Sequence, residues 1–321
     1  MIAEGAEPVS RDEFERRLAA AAARVPDPVA GLFGPGSTKW AIDREAAVFL
    51  GAGRALLLQL AHPWVAAGVL EHSRTLNDPI GRFHRTFQSV YSIVFGTVDQ
   101  ALATSRALHR GHARVEGAMP AAAGPFEAGS RYRANDAAAL AWVFATLVDS
   151  ALTAHDLVLP PLRDREREAY YAESRRFAAC FGVPDGALPP DWTGFRAYVD
   201  AMAASPVLTV MPGARELADR FLAGAGTWWL FVPATYRALT GDLLPDRLRD
   251  GFRLPDDPRL LRAARRQLGL VRRAYPRLPA RLRFVGPYHE AVGRLSGRPR
   301  PDAWTRASNR FWIGRSALSG P

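Results

Sequence analysis

The chain has 321 residues, 48% hydrophobic and 23% charged, a balance that excludes disordered, collagen-like and fibrous coiled-coil proteins. One cysteine, Cys180, excludes an intramolecular disulfide and a thiolate cluster for zinc or iron-sulfur. The formal net charge is +10, but Lys39 is the one lysine among 42 basic residues, and an arginine and alanine excess of this kind reads as genomic composition rather than as a nucleic-acid or anionic-membrane partner.

Residues 1–26 are charged throughout and lack the basic start and apolar run of a secretory signal, so a cytoplasmic protein is expected. Ser10 with Glu13 makes a capping box before an amphipathic helix over 14–25, an N-terminal brace within residues 1–30. Turn-rich residues 31–37 precede a single Ala-, Leu- and Val-rich helix over 39–60 that stops at His62-Pro63, where two buried helices are expected to meet. Inside it, Gly51 and Gly53 read as close helix packing rather than a nucleotide-binding loop. Asn77-Asp78-Pro79 starts a helix that runs to Phe95, and Thr97 with Gln100 caps the next, which reaches about Glu116.

Beyond a loop at 120–130, helices are predicted over 136–157, 164–181, 190–204, 215–222, 228–239, 258–274 and 288–295. The longest apolar runs, 46–60 and 137–148, are broken by Arg54 and stopped by Asp149, short of the roughly 20 residues that span a bilayer. Strand patterning is nearly absent, and no fixed-period repeat or low-complexity linker interrupts the series. The expected class is all-α: one large helical domain over 31–296, with a C-terminal extension at 297–321.

Five of the seven histidines fall between His62 and His112. His109 and His112 are three apart on one predicted helix and share a face that can ligate a metal or a haem iron, or can hold one core and one exposed histidine. Glu116, four residues on, keeps a non-haem metal site open as an alternative. The His-Glu-x-x-His, Gly-x-Ser-x-Gly and phosphate-loop motifs are all missing. Arg82, Arg85 and Thr86 occupy one face of the helix that starts at Pro79, where Phe83, Phe87, Val90, Ile93 and Val94 imply a deeply buried side; two inward arginines need an anionic or strongly polar partner.

The ordered blocks WAIDREAAVFLGAGRALLLQLAH (40–62), PWVAAGVLEHS (63–73), DPIGRFHRT (78–86), HARVEG (112–117), YRANDAAALAWV (132–143), LPDRLRDG (244–251) and LPARLRFVGPYHEA (278–291) resemble the rubber oxygenase (latex-clearing protein) and mycophenolic-acid-pathway oxygenase family. The resemblance implies a helical fold with a globin-like core that holds haem b, and O2-dependent cleavage of an isoprenoid carbon-carbon double bond to carbonyl products. It implies His112 as the axial ligand of the haem iron, with His109 as fallback, and Arg82, Arg85 and Thr86 near the haem. His62, His72 and His84 are candidates for the distal side.

Arg85 departs from the family pattern, which has a lysine able to ligate iron; a guanidinium, held protonated, does not. The resemblance then implies an iron that is five-coordinate, or has a water or a second histidine opposite His112. A second departure is the stretch 63–68, which lacks the family's acidic residue, and the role is not carried to nearby Glu71. A small hydrophobic substrate therefore fits better than a polymer. Arg54, Arg82, Arg247 and Arg249 are candidate partners for the haem propionates, and Phe83, Phe87, Trp142 and Phe144 are candidate pocket walls. A haem-binding or gas-sensing protein without turnover, and a basic protein that binds nucleic acid or an anionic membrane through Arg262, Arg265, Arg266, Arg272 and Arg273, are the readings from other classes.

Overall fold

The computed structural model describes residues 8–72, 78–224, 232–298 and 300–318. Helix α1, Arg11–Ala23, starts where Ser10 accepts from the Glu13 amide. The reciprocal half of the expected capping box does not form, because the Glu13 carboxylate turns to Arg17 one helical turn on. Phe14 and Leu18 bury the inner face of α1 against α8, Asp164–Cys180.

The single helix expected over 39–60 is three pieces: α2, Thr38–Asp43, a 3-10 turn, Ala46–Gly51, and α3, Ala52–Leu60. The cause is tertiary. The Val285 amide donates to Arg44 O at 2.9 Å, and Tyr275 Oη bonds the Ala47 amide and the Glu45 carboxylate, both at 3.0 Å. Arg283 completes this buried knot on Glu45 at 2.6 Å. A far segment thus takes backbone and carboxylate groups that a continuous helix would keep to itself.

Pro63 opens α4, Pro63–His72. Asp78 caps α5, Pro79–Phe95, and a complete Thr97–Gln100 capping box starts α6, Val98–His112, both as expected. Helix α6 ends at His112 rather than Glu116, which lies in a three-residue strand, β1, Glu116–Ala118, paired antiparallel with β2, Arg131–Arg133. The loop expected at 120–130 is the connection of this hairpin.

The central element is α7, Ala137–Val158, most of whose side chains are buried. Among the described residues it is the one helix long and apolar enough to cross a membrane, and 78% of its apolar window is buried within the protein. The helix runs through Asp149, as the expectation over 136–157 has it. Asp149 stays helical because Arg54 meets it at 2.6 Å and Arg196 binds its other oxygen. Gly51 lets the 3-10 turn touch α7: a Cβ there would stand 2.3 Å from Ser150 O. Gly53 likewise packs under Tyr236 and Thr240, so both glycines serve close packing.

The remaining helices are α9, Trp192–Ala204; α10, Pro212–Leu222; α11, Ala234–Asp242; α12, Asp246–Gly251; α13, Pro258–Ala274; α14, Ala280–Arg283; α15, Gly286–Leu295; and α16, Ala303–Ile313. Helix α4 is the second of the two buried helices expected to meet at His62-Pro63. Three helices, α12, α14 and α16, are not expected from the sequence, and the start expected at Trp228 lies outside the described residues. The protein is mostly helical, with a two-stranded sheet, and one extensive hydrophobic cluster joins α1 through α10 to α15 and α16.

Candidate functional site

Helices α5 and α6 are joined by Gly96 and Thr97 alone and pack against each other along their length. Arg82 and His112 each stand about 14 or 15 residues from that turn, roughly 21 Å along their own helices at 1.5 Å per residue, toward the open end of the hairpin. The C-terminus of α4 reaches the same region, because His72 Nε2 lies 3.0 Å from Glu116 O, four residues past His112. The sequence ties these three helices to one another through two short connections and one side-chain bond.

His112 is half-buried, and its Nδ1 is shielded from solvent without a hydrogen-bond partner. Burial lowers its pKa to about 4, with the neighbouring His109 adding to the shift, so the ring is neutral at physiological pH. A neutral imidazole can ligate a metal, and His109 also has an unpartnered Nδ1 and a pKa lowered by burial. His109 shares the helix face but not the surroundings. It is buried and stacks on Phe14, ring centroids 4.2 Å apart and planes 8° from parallel, so α1 closes its face.

The expectation of two arginines aimed inward is corrected. Arg82 is half-buried, and its pKa is lowered by burial first and then by the charge of Arg85. Arg85 and Thr86 are exposed, with Arg85 turned back 2.9 Å from the Asp78 cap. Spacing fixed their angular relation but not which of them faced the body. His84 is fastened to Phe311 O of α16 at 3.1 Å.

His62 is buried with Nδ1 unpartnered, its pKa lowered by burial to about 4, and its ring 5.4 Å from Phe126 in the β-hairpin loop. It stands about 15 Å along α4 from His72. At the His72 end, Tyr132 donates a hydrogen bond to Glu71, and burial first, with that bond second, holds the phenol above its ordinary pKa. Gly117 makes this possible, since a Cβ there would come 2.6 Å from both Glu71 Oε2 and Tyr132 Oη. The sequence reading passed over this pair; the glycine closing the 112–117 block is the signal that marked it.

Other candidates are committed elsewhere. Arg54 gives its donors to Asp149, Ser150 Oγ and Leu243 O. Arg247 binds three carbonyls, Ala203, Ser205 and Leu208, and Arg249 pairs with Asp246 at 2.9 Å. Trp142 and Phe144 are core residues of α7, Trp142 Nε1 donating to Leu58 O at 2.9 Å, whereas Phe83 and Phe87 pack on Phe49. The four therefore do not line one pocket.

Glu116 faces Arg131 and Arg133 rather than the histidines, and no cluster of three His, Cys, Asp or Glu suited to a metal ion exists among the described residues. A surface cleft of about 560 Å³ lies apart from this end, at Asp164, Arg165, Glu168, Trp192, Thr193 and Arg196, and its charged walls do not suit an apolar ligand. By the chemistry of its donors, the unbonded neutral imidazole of His112 suits a haem iron, and a guanidinium such as that of Arg82 suits a carboxylate side chain.

The protein is thus a mostly helical body whose histidines His62, His109 and His112 each carry a solvent-shielded Nδ1 without a hydrogen-bond partner among the described residues. The chain belongs to the family described as ER-bound oxygenase mpaB/B'/rubber oxygenase, catalytic domain, whose model matches residues 39–273, well over half of the chain. Its class is thus that of an oxygenase catalytic domain. No curated protein and no solved structure shows significant similarity to it.

Proposed function

We propose that the chain is a haem b-dependent oxygenase of the cytoplasm, which combines O2 with a small hydrophobic substrate and cleaves an isoprenoid-like double bond to carbonyl products. The observation that carries the reading is His112: half-buried, kept neutral, and without a hydrogen-bond partner among the described residues, on the hairpin that also carries Arg82. The globin-like character of the core belongs to the same proposal.

Bound haem b supplies a redox-active iron that activates dioxygen. His112 offers its lone pair at any pH above about 4, because burial keeps the proton off. Arg82 supplies the positive charge that a propionate needs in a partly desolvated setting. Arg85, exposed and paired with Asp78, does not reach inward, so the lysine ligation implied by the family motif has no counterpart in it. Tyr132 donates to the Glu71 carboxylate and keeps its phenol proton. The stretch 63–68 carries no carboxylate, which supports a small substrate rather than a polymer.

The test is the ultraviolet-visible spectrum of haem-reconstituted protein with a pyridine haemochrome assay. Wild type and His109→Ala are expected to show a Soret band with one haem b per chain, and His112→Ala to lose it. Reversal of the two variants moves the ligand to His109, and a wild type without a Soret band overturns the haem reading.

A further inference from the structure

Between Asp257 and Glu290 the sequence holds nine arginines and no acidic residue. Three of the nine are paired: Arg265 with Asp242, Arg281 with Asp302 and Arg283 with Glu45. The other six, Arg259, Arg262, Arg266, Arg272, Arg273 and Arg277, have no carboxylate partner among the described residues. Helix α13 buries Ala264 on its inner side, and residues 269–274 are all exposed, between Leu268 and Tyr275, which pack with Val158 and Leu159.

That exposed stretch is apolar as well as basic. Leu270 is 64% exposed and Leu282 of α14 54%. Val271, Leu278 and Trp304 are exposed beside them, and Trp304 Nε1 donates to Arg281 O at 3.1 Å, which joins the start of α16 to α14. Isolated exposed leucines need no explanation; several in one neighbourhood, ringed by unpaired cations, do.

We propose that this face docks the protein on an anionic phospholipid surface, with the leucines and Trp304 entering the interface and the arginines meeting lipid phosphates. Charge complementarity selects this occupant. A second copy placed symmetrically would set arginines against arginines. A nucleic acid would satisfy the charges but leave the leucines in water. A bilayer surface takes both: leucine side chains sink into the headgroup boundary, tryptophan prefers that depth, and each arginine gains from the negative surface potential. The inference stands on residues away from the His112 end and does not depend on the proposed chemistry.

The experiment is co-sedimentation of the full chain with vesicles of phosphatidylcholine alone or mixed with phosphatidylglycerol. Binding is expected to the mixed vesicles only. Arg272→Gln with Arg273→Gln should weaken partitioning by about 30-fold. Leu270→Ser with Leu282→Ser should weaken it at least about tenfold at unchanged circular dichroism, these side chains being exposed in the folded protein. Absence of binding to mixed vesicles overturns the proposal, as does binding that the leucine changes leave untouched. Duplex DNA binding as tight as vesicle binding at equal salt overturns it in favour of nucleic acid. A dimer that Leu270→Ser dissociates, without vesicle binding, overturns it in favour of self-association.

Discussion

Lys39 is the chain's one lysine, and it stands where a guanidinium has no room. Its ammonium lies 2.7 Å from Asp43 and 3.4 Å from Tyr170 Oη, over the rings of Tyr170 and Phe177 at 4.6 and 4.8 Å. A compact point charge fits this buried box, whereas the wider planar head of arginine overfills it. Lys39→Arg is therefore expected to cost about 1–3 kcal/mol in urea unfolding, and Lys39→Met more, because Asp43 is left buried without its cation. His62 sets a pH dependence. Its folded pKa is about 4 against 6.5 for the free side chain, so the unfolded chain binds the extra proton first as pH falls. Stability present above pH 6.5 is lost between 6.5 and about 4, by about 2–3 kcal/mol from this residue, and the loss levels off below that. Comparing urea midpoints across this range for wild type and His62→Phe checks it: the variant should lose that part of the slope.

Helix starts written in local chemistry were legible, because a cap needs only its own next three residues. Thr97 with Gln100, Asp78-Pro79 and Asp257-Pro258 all open helices where their residue types say. Breaks imposed from afar were not. Nothing local to residues 44–47 announces that Tyr275, Arg283 and Val285 bond there, and three-residue strands are too short for period-two alternation to show. The site divides the same way: the helix shared by His109 and His112 follows from spacing, whereas Arg54 meets a partner 95 positions away and Arg85 faces outward for reasons its own helix does not contain. Two glycines test the packing account. Gly51→Ala sets a methyl against Ser150 O and should destabilise by about 2 kcal/mol or more. Gly269→Ala, in α13 with nothing within 4 Å of the added carbon, should stabilise by up to about 1 kcal/mol. Asp149→Ala strands the buried Arg54 charge and should cost about 3–5 kcal/mol, most of it recovered when Arg54→Met is added; thermal melts of the single and double variants measure both.

On the scale of the whole molecule, the His112 end and the basic apolar face draw on different helices of one helical body, α6 for the first and α13, α14 and α16 for the second. The region matched by the family, 39–273, does not contain everything its core uses. Phe14 and Leu18 from α1, and Trp312 and Ile313 from α16, are buried in the same cluster as α5 and α7. Trp312 covers Phe49, Phe87 and Tyr91 at 5.8, 6.1 and 6.4 Å, and Leu318 is held by the Glu290 carboxylate and by Gln100, the residue that also caps α6. A chain cut to residues 39–273 is accordingly expected to aggregate on expression, which sedimentation of the lysate would show.

That late cover has a consequence in the time order of synthesis. The α5–α6 hairpin leaves the ribosome about 200 residues before Trp312 and Leu318, an interval of roughly 10–40 s at ordinary rates of elongation. Throughout it Phe87 and Tyr91 lack the cover of Trp312, Phe83 and Phe87 have Phe49 from earlier in the chain, and Gln100 holds only one of its two partners. The nascent chain thus presents an aromatic stripe that chaperones recognise, and the helix bearing His112 reaches its finished setting only when residues made two hundred positions later fold back onto it.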